Sequence, residues 1–126
     1  MNKTSDNKLK NNLSPLQYKV TQEGATEPPF SHEGFEKGVK KFVCVCCGSL
    51  LFKIENKFES GSGWPSFSSP YSFQAISEHS DESYGMIRTE VKCNKCEAHL
   101  GHVFEDGPKP TGLRYCINGA AIEGKK

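Results

Sequence analysis

Four of the six cysteines in this chain come in two pairs of equal spacing. In "CVCC", Cys44 and Cys47 stand three positions apart, and "CNKC" repeats the interval with Cys93 and Cys96. That spacing lets one tight turn direct both thiols at a single ion, and Gly48 follows the first pair as such a turn favours. Two such knuckles predict a closed, tetrahedral four-thiolate zinc site. Residues 48–92 separate the pairs, more than one ribbon hairpin spans, so the site is expected to join distant segments. A closed sulfur shell leaves no position for substrate, which makes the expected role structural. Redox disulfides or unpaired core cysteines are the competing readings. Cys46 lies inside the first knuckle at the wrong spacing and reads as a small apolar strand residue.

The sixth cysteine stands alone in "LRYCINGAA", residues 113–121. In a strand, Arg114, Cys116 and Asn118 share one face. A neighbouring guanidinium favours thiolate, so the thiol is expected below its usual value of about 8.5, and the thiolate is the nucleophilic form. Asn118 can donate to an oxyanion or hold an orienting water. An inert buried cysteine is the alternative. In "AHLGHVF", His99 and His102 would face opposite ways in a regular strand, but Gly101 permits a bulge that aims both at one site. Imidazole suits proton donation near neutral pH, although histidines also pack or bind metals. "SGSGWPSF" sets Ser62 between glycines in a tight loop, and places Trp64 against Pro65 as either a core plug or the wall of an apolar pocket.

Strands must position these groups. "KKFVCVC", "SLLFKI" and "LRYCINGAA" are β-rich runs bounded by turn residues. "GMIRTEVKC" alternates, with Ile87, Thr89, Val91 and Cys93 on one face and Arg88, Glu90 and Lys92 on the other. A short helix is predicted from residue 14 to about 22, with Ser14 as N-cap, Pro15 in the first turn, and Leu13, Leu16 and Val20 lining one face. "GATEPPFSHEGFEKG" reads as an extended loop. Residues 1–12 read as a polar, frayed tail, 13–122 as one domain, and 123–126 as a short C-terminal tail. The fold class expected is mainly β, antiparallel, with irregular loops.

A length of 126 residues fits one domain with a modest core. The formal net charge of +1, with both signs interspersed, gives no case for nucleic acid or an anionic membrane as partner. Apolar runs such as "LLF" are too short to cross a bilayer, and no hydrophobic segment follows the first lysines, so a cytoplasmic location is expected. There, six cysteines point to metal or redox chemistry more than to structural disulfides.

The stretches "VTQEGATEPPF", "KFESGSGWPSF" and "RTEVKCNKCEAHLGHVFEDGPKPTGLRYCINGAA" resemble the methionine-(R)-sulfoxide reductases, the MsrB family, over residues 14–121. The resemblance implies two antiparallel sheets, a structural zinc on Cys44, Cys47, Cys93 and Cys96, and reduction of the R epimer of methionine sulfoxide in oxidised proteins or peptides. It implies Cys116 as nucleophile, and His99, His102 and Asn118 as the groups that bind or protonate the sulfoxide oxygen. Asp106 and Arg114 match the polar support, and Trp64 the wall that receives the substrate methyl. Thioredoxin or another thiol is the expected reductant, and a monomer the expected state. Two positions depart from the family pattern. Ser62 stands where many members carry a resolving cysteine, which leaves direct reduction of a Cys116 sulfenic acid, or recruitment of Cys46. Gly119 stands where serine commonly follows the asparagine. A zinc-ribbon adaptor and a cysteine redox sensor are the rival classes, and the first leaves Cys116 and both histidines without a role.

Overall fold

The computed structural model describes residues 13–32, 34–82 and 85–126. The expected tail at 1–12 lies outside them. Among the described residues one α-helix, α1 (Pro15–Glu23), precedes nine strands: β1 (Lys41–Cys44), β2 (Leu50–Lys53), β3 (Lys57–Phe58), β4 (Ser66–Phe67), β5 (Ile76–Asp81), β6 (Arg88–Cys93), β7 (His99–Phe104), β8 (Arg114–Ile117) and β9 (Ile122–Lys125). They form two antiparallel sheets, a small one ordered β2-β1-β9 and a large one ordered β3-β4-β8-β7-β6-β5. No helix among the described residues is long and apolar enough to cross a membrane.

Aromatic rings join the sheets. Phe42 and Phe52 of the small sheet meet Phe67 of the large one, stacked at 4.3 Å for Phe52 and edge-on at 5.2 Å for Phe42. All three are fully buried, as are Tyr115, Ile117, Leu100 and Val91. Each such side chain contributes roughly 1.5–3 kcal/mol by leaving water.

The helix begins as expected, with a reciprocal Ser14–Gln17 capping box and Pro15 in the first turn, and it stops at Gly24 in the left-handed conformation (φ 72°). Its buried residues are Val20 and Thr21, and it packs on β7 and on the short 3-10 turn Gly119–Ala121. Leu16 departs from the expected inner face and is 43% exposed, because burial is confined to the second half of the helix. Ile87 departs likewise: β6 begins only at Arg88, and Ile87 is left 84% exposed before the first paired residue. Residues 123–126, read as a tail, instead lie largely in β9, which pairs with β1 from Cys44↔Ile122 to Lys41↔Lys125.

Candidate active site and metal centre

The two cysteine knuckles are built alike. The Gly48 N–H donates to the Cys44 carbonyl and the Glu97 N–H to the Cys93 carbonyl, both at 2.8 Å. Gly48 (φ 78°) and Glu97 (φ 66°) occupy the same left-handed position after the last cysteine of each turn. The small sheet contributes the first knuckle and the large sheet the second, so the thiols meet between the sheets. All four sulfurs lie within 4.8 Å of one another, with Cys44–Cys96 at 3.6 Å and Cys47–Cys93 at 3.7 Å. A tetrahedral ion with sulfur bonds of about 2.3 Å requires edges of about 3.8 Å, so the group fits one metal ion. Cys46 is not one of the four: it lies beside Cys44 and Cys96, and its sulfur accepts from Gln22 Nε2 of α1 at 3.4 Å.

Cys116 lies at the centre of the large sheet, where β8 runs between β4 and β7. Its pairing partners are Ser66 on one side and His102 on the other. The alternation holds: Tyr115 and Ile117 are fully buried in the core, while Arg114 and Cys116 face a cavity of about 200 Å³. His102, Trp64, Ser62, Arg88 and Asn118 share that cavity.

Both histidines reach the same face of β7 through a bulge. Val91 pairs with Gly101 but Lys92 pairs with His99, so Leu100 is the extra residue and the expected opposition of His99 and His102 is cancelled. Their rings stand 5.6 Å apart. Glycine is required at position 101 because a Cβ there would lie 2.0 Å from the Cys116 carbonyl oxygen. The Leu100 carbonyl freed by the bulge accepts two bonds from Asn118, from its backbone N–H at 2.9 Å and its Nδ2 at 3.0 Å. Asn118 therefore faces the cavity with its amide already tied to backbone, and it holds the bulge.

Each histidine is oriented by a carboxylate. His102 Nε2–H donates to Asp81 at 2.8 Å, and Asp81 also accepts from Arg88 at 3.3 Å. His99 Nδ1–H donates to Glu90 at 2.7 Å. Burial pushes the His99 pKa down despite Glu90, which favours the neutral ring, and its Nε2 is buried with no hydrogen-bond partner among the described residues. His99 lines not the Cys116 cavity but a neighbouring one beside α1.

The thiol itself contradicts one expectation. Burial pushes the Cys116 pKa up, and this outweighs the lowering by Arg114 and by a hydrogen bond from Ser62. Arg114 is shared: it donates to the exposed Asp106 at 2.8 and 3.2 Å and lies 4.6 Å from the centre of the Phe104 ring. The pair holds the Asp106 carboxyl below and the Arg114 guanidinium above their usual ranges.

Trp64 is a wall and not a core plug. It is half-buried, lines the Cys116 cavity, and donates its Nε1–H to the Glu27 carbonyl at 2.9 Å. Glu27 was not picked out from sequence. It is 1% exposed, its carboxylate accepts from the Gly119 and Ala120 N–H groups at 2.8 and 2.9 Å, and its own N–H donates to Asn118 Oδ1 at 3.0 Å. Asp81, Glu90 and Arg88 were also missed as site residues. For Glu27 and Asp81 the one available signal was an acidic residue in a loop or edge strand with no basic neighbour; Glu90, between Arg88 and Lys92 on its strand face, gave none.

A family model described as the SelR domain matches residues 13–126, so the class of protein is a SelR domain. Two relatives named peptide methionine sulfoxide reductase MsrB match almost end to end. The protein from Acinetobacter baylyi is 50% identical over 98% of this chain and 88% of its own length. That from Thioalkalivibrio sulfidiphilus is 52% identical over 96% of this chain and 89% of its own length. The chain belongs to the MsrB family.

Proposed function

We propose that the protein reduces methionine-R-sulfoxide in peptides and oxidised proteins, with Cys116 as nucleophile. The observation that carries this is one cavity that combines the Cys116 thiol, the Asp81-linked His102 and the Trp64 ring. Membership of the family supports it.

A sulfoxide sulfur becomes electrophilic only as its oxygen accepts a proton or a strong hydrogen bond. His102 supplies that proton, since Asp81 stabilises the imidazolium from the far side of the ring and His102, unlike His99, lines the cavity. Cys116 Sγ bonds to the sulfoxide sulfur as the oxygen is protonated, the oxygen then passes to Sγ while the S–O bond and the new S–S bond break, and methionine leaves, with Cys116 left as a sulfenic acid. Overall, one thiol and one sulfoxide become one sulfenic acid and one thioether. Because burial keeps the resting thiol protonated, the thiolate forms as substrate arrives, and the thiol proton passes to the His102 side. Trp64 takes the methyl group, the cavity's polar wall takes the oxygen, and the side-chain stem points outward, which selects one epimer.

Ser62 contacts Cys116 where a resolving thiol would be needed. Cys46 is held by α1 at the metal knuckle. A small thiol or a thioredoxin-type protein therefore reduces the sulfenic acid directly. The four-thiolate site holds a structural zinc ion, which on binding supplies folding free energy and no chemistry. The protein acts as a monomer in this reading.

The deciding experiment is multiple turnover of separate R and S epimers of a blocked methionine sulfoxide with dithiothreitol. Turnover of R alone is expected, and Cys116→Ser abolishes it. No turnover by folded, metal-loaded protein would sink the reading and bring forward the redox-sensor alternative.

A further inference from the structure

We propose that the groove behind the Trp64 loop is a second substrate subsite, which takes an apolar side chain next to the methionine sulfoxide in a peptide. The inference rests on the reductase reading above.

The groove encloses about 530 Å³, more than the 200 Å³ cavity at Cys116, and nothing in the reaction uses it. Phe30, Phe35, Ile54, Phe58 and Pro65 line it together with Trp64. Trp64 lines both, so the two spaces adjoin across one ring.

Phe30 is the feature that fold stability does not account for. Its ring is 76% exposed, and its backbone is in the left-handed region (φ 61°), which a bulky residue adopts only under constraint. The constraint is visible. The Phe30 N–H donates to the Gly63 carbonyl at 2.7 Å, and a Cβ on Gly63 would lie 2.9 Å from the Phe30 ring. The ring is thus seated on the backbone beside Trp64, and its outer face is left to water. An exposed aromatic held in an unfavourable conformation beside an active site is a recognition surface.

The occupant follows from the chemistry. The rim carries Glu36, Lys57 and Glu59, a mixture of signs that selects no charge, and the walls are mostly hydrocarbon. A peptide whose sulfoxide side chain enters the Cys116 cavity must lay its neighbouring residues on the surface around Trp64. An apolar neighbour buries itself against Phe30 and Ile54, whereas glycine gains nothing there.

The test compares kcat/KM for two R-sulfoxide peptides, one with phenylalanine on both sides of the oxidised methionine and one with glycine. The expected ratio is about tenfold in favour of the apolar peptide, the effect of burying part of one ring. Phe30→Ser and Ile54→Ser, at two residues that line the groove, each bring the ratio toward one. Phe73→Ser, at an exposed ring outside the groove, leaves the ratio unchanged. Because the readout is a ratio, a general loss of activity in one variant does not imitate the result. Equal kcat/KM for the two peptides with the unaltered protein overturns the proposal, as does a preference that survives both serine variants. Absence of turnover with every sulfoxide, blocked amino acid included, marks failure of the reductase reading itself.

Discussion

The backbone N–H of Glu27 donates to the side-chain oxygen of Asn118 at 3.0 Å, across 91 positions of sequence. Asn118 in turn holds the Leu100 carbonyl at the β7 bulge. A residue in the first loop thereby fixes the backbone that aims both histidines. Glu27→Ala leaves the Gly119 and Ala120 N–H groups buried without acceptors and is expected to cost about 3 kcal/mol. Glu27→Gln restores one acceptor and should cost about half as much. Urea unfolding of the two variants measures both, and an alanine variant as stable as the parent would show that water replaces the carboxylate.

Alkylation by iodoacetamide reports the Cys116 thiolate. Its pKa is raised, so the thiolate fraction at neutral pH lies below that of an ordinary thiol, and the rate should climb about tenfold per pH unit up to a midpoint above about 8.5. Arg114→Leu removes a stabilising charge and moves the midpoint higher still. A plateau below pH 7 would contradict the dominance of burial.

Loss of the proton donor should act on the chemical step. His102→Gln is expected to lower kcat by roughly 10²–10⁴, with a much smaller change in KM. Asp81→Asn keeps the shape but withdraws the carboxylate that accepts from His102 Nε2, so kcat should fall by a smaller factor, again with little change in KM. A variant with unaltered kcat would separate Asp81 from proton donation.

Metal analysis of protein expressed with zinc should find about one ion per chain. Stripping it with a strong chelator is expected to lower Tm by more than about 10 °C, since a structural zinc contributes a large share of folding free energy. Cys93→Ser should do the same and Cys46→Ser should not.

Ser62→Cys places a second thiol against Cys116. After one turnover the Cys116 sulfenic acid and the new thiol should condense to a disulfide with release of water, giving a mass two units below the reduced variant, about 2 Da. The parent should instead accumulate sulfenic acid, trapped by dimedone. A Cys46–Cys116 disulfide in the parent would reverse the assignment of direct reduction.

What could be read from the sequence, and what could not, follows burial. The knuckles, the capped helix and the strands β1, β2, β6 and β8 announce themselves through cysteine spacing, cap residues and apolar runs. β5 and β9 do not. They are edge strands of their sheets, their residues are mostly polar and partly exposed, and an edge strand with charged side chains looks like a loop. At the site, Gly101 between two histidines signalled the bulge, because only glycine tolerates the contact with Cys116. The direction of the Cys116 shift was not legible, since a neighbouring arginine appears in the sequence whereas desolvation appears only in the packed structure. Glu27 was hidden for a related reason: its partners are 37 to 93 positions away.

Cys116 meets Thr26 and Glu27's partner Asn118, the Ser62–Trp64 loop, Arg88 and His102 in a single cavity. No contiguous third of the chain contains that set, which runs from residue 26 to residue 118. Activity should therefore be a property of the whole cooperative unit. Heat-induced loss of turnover and loss of near-ultraviolet dichroism should trace one curve, and no partly folded form should present a working sulfur nucleophile to the cell.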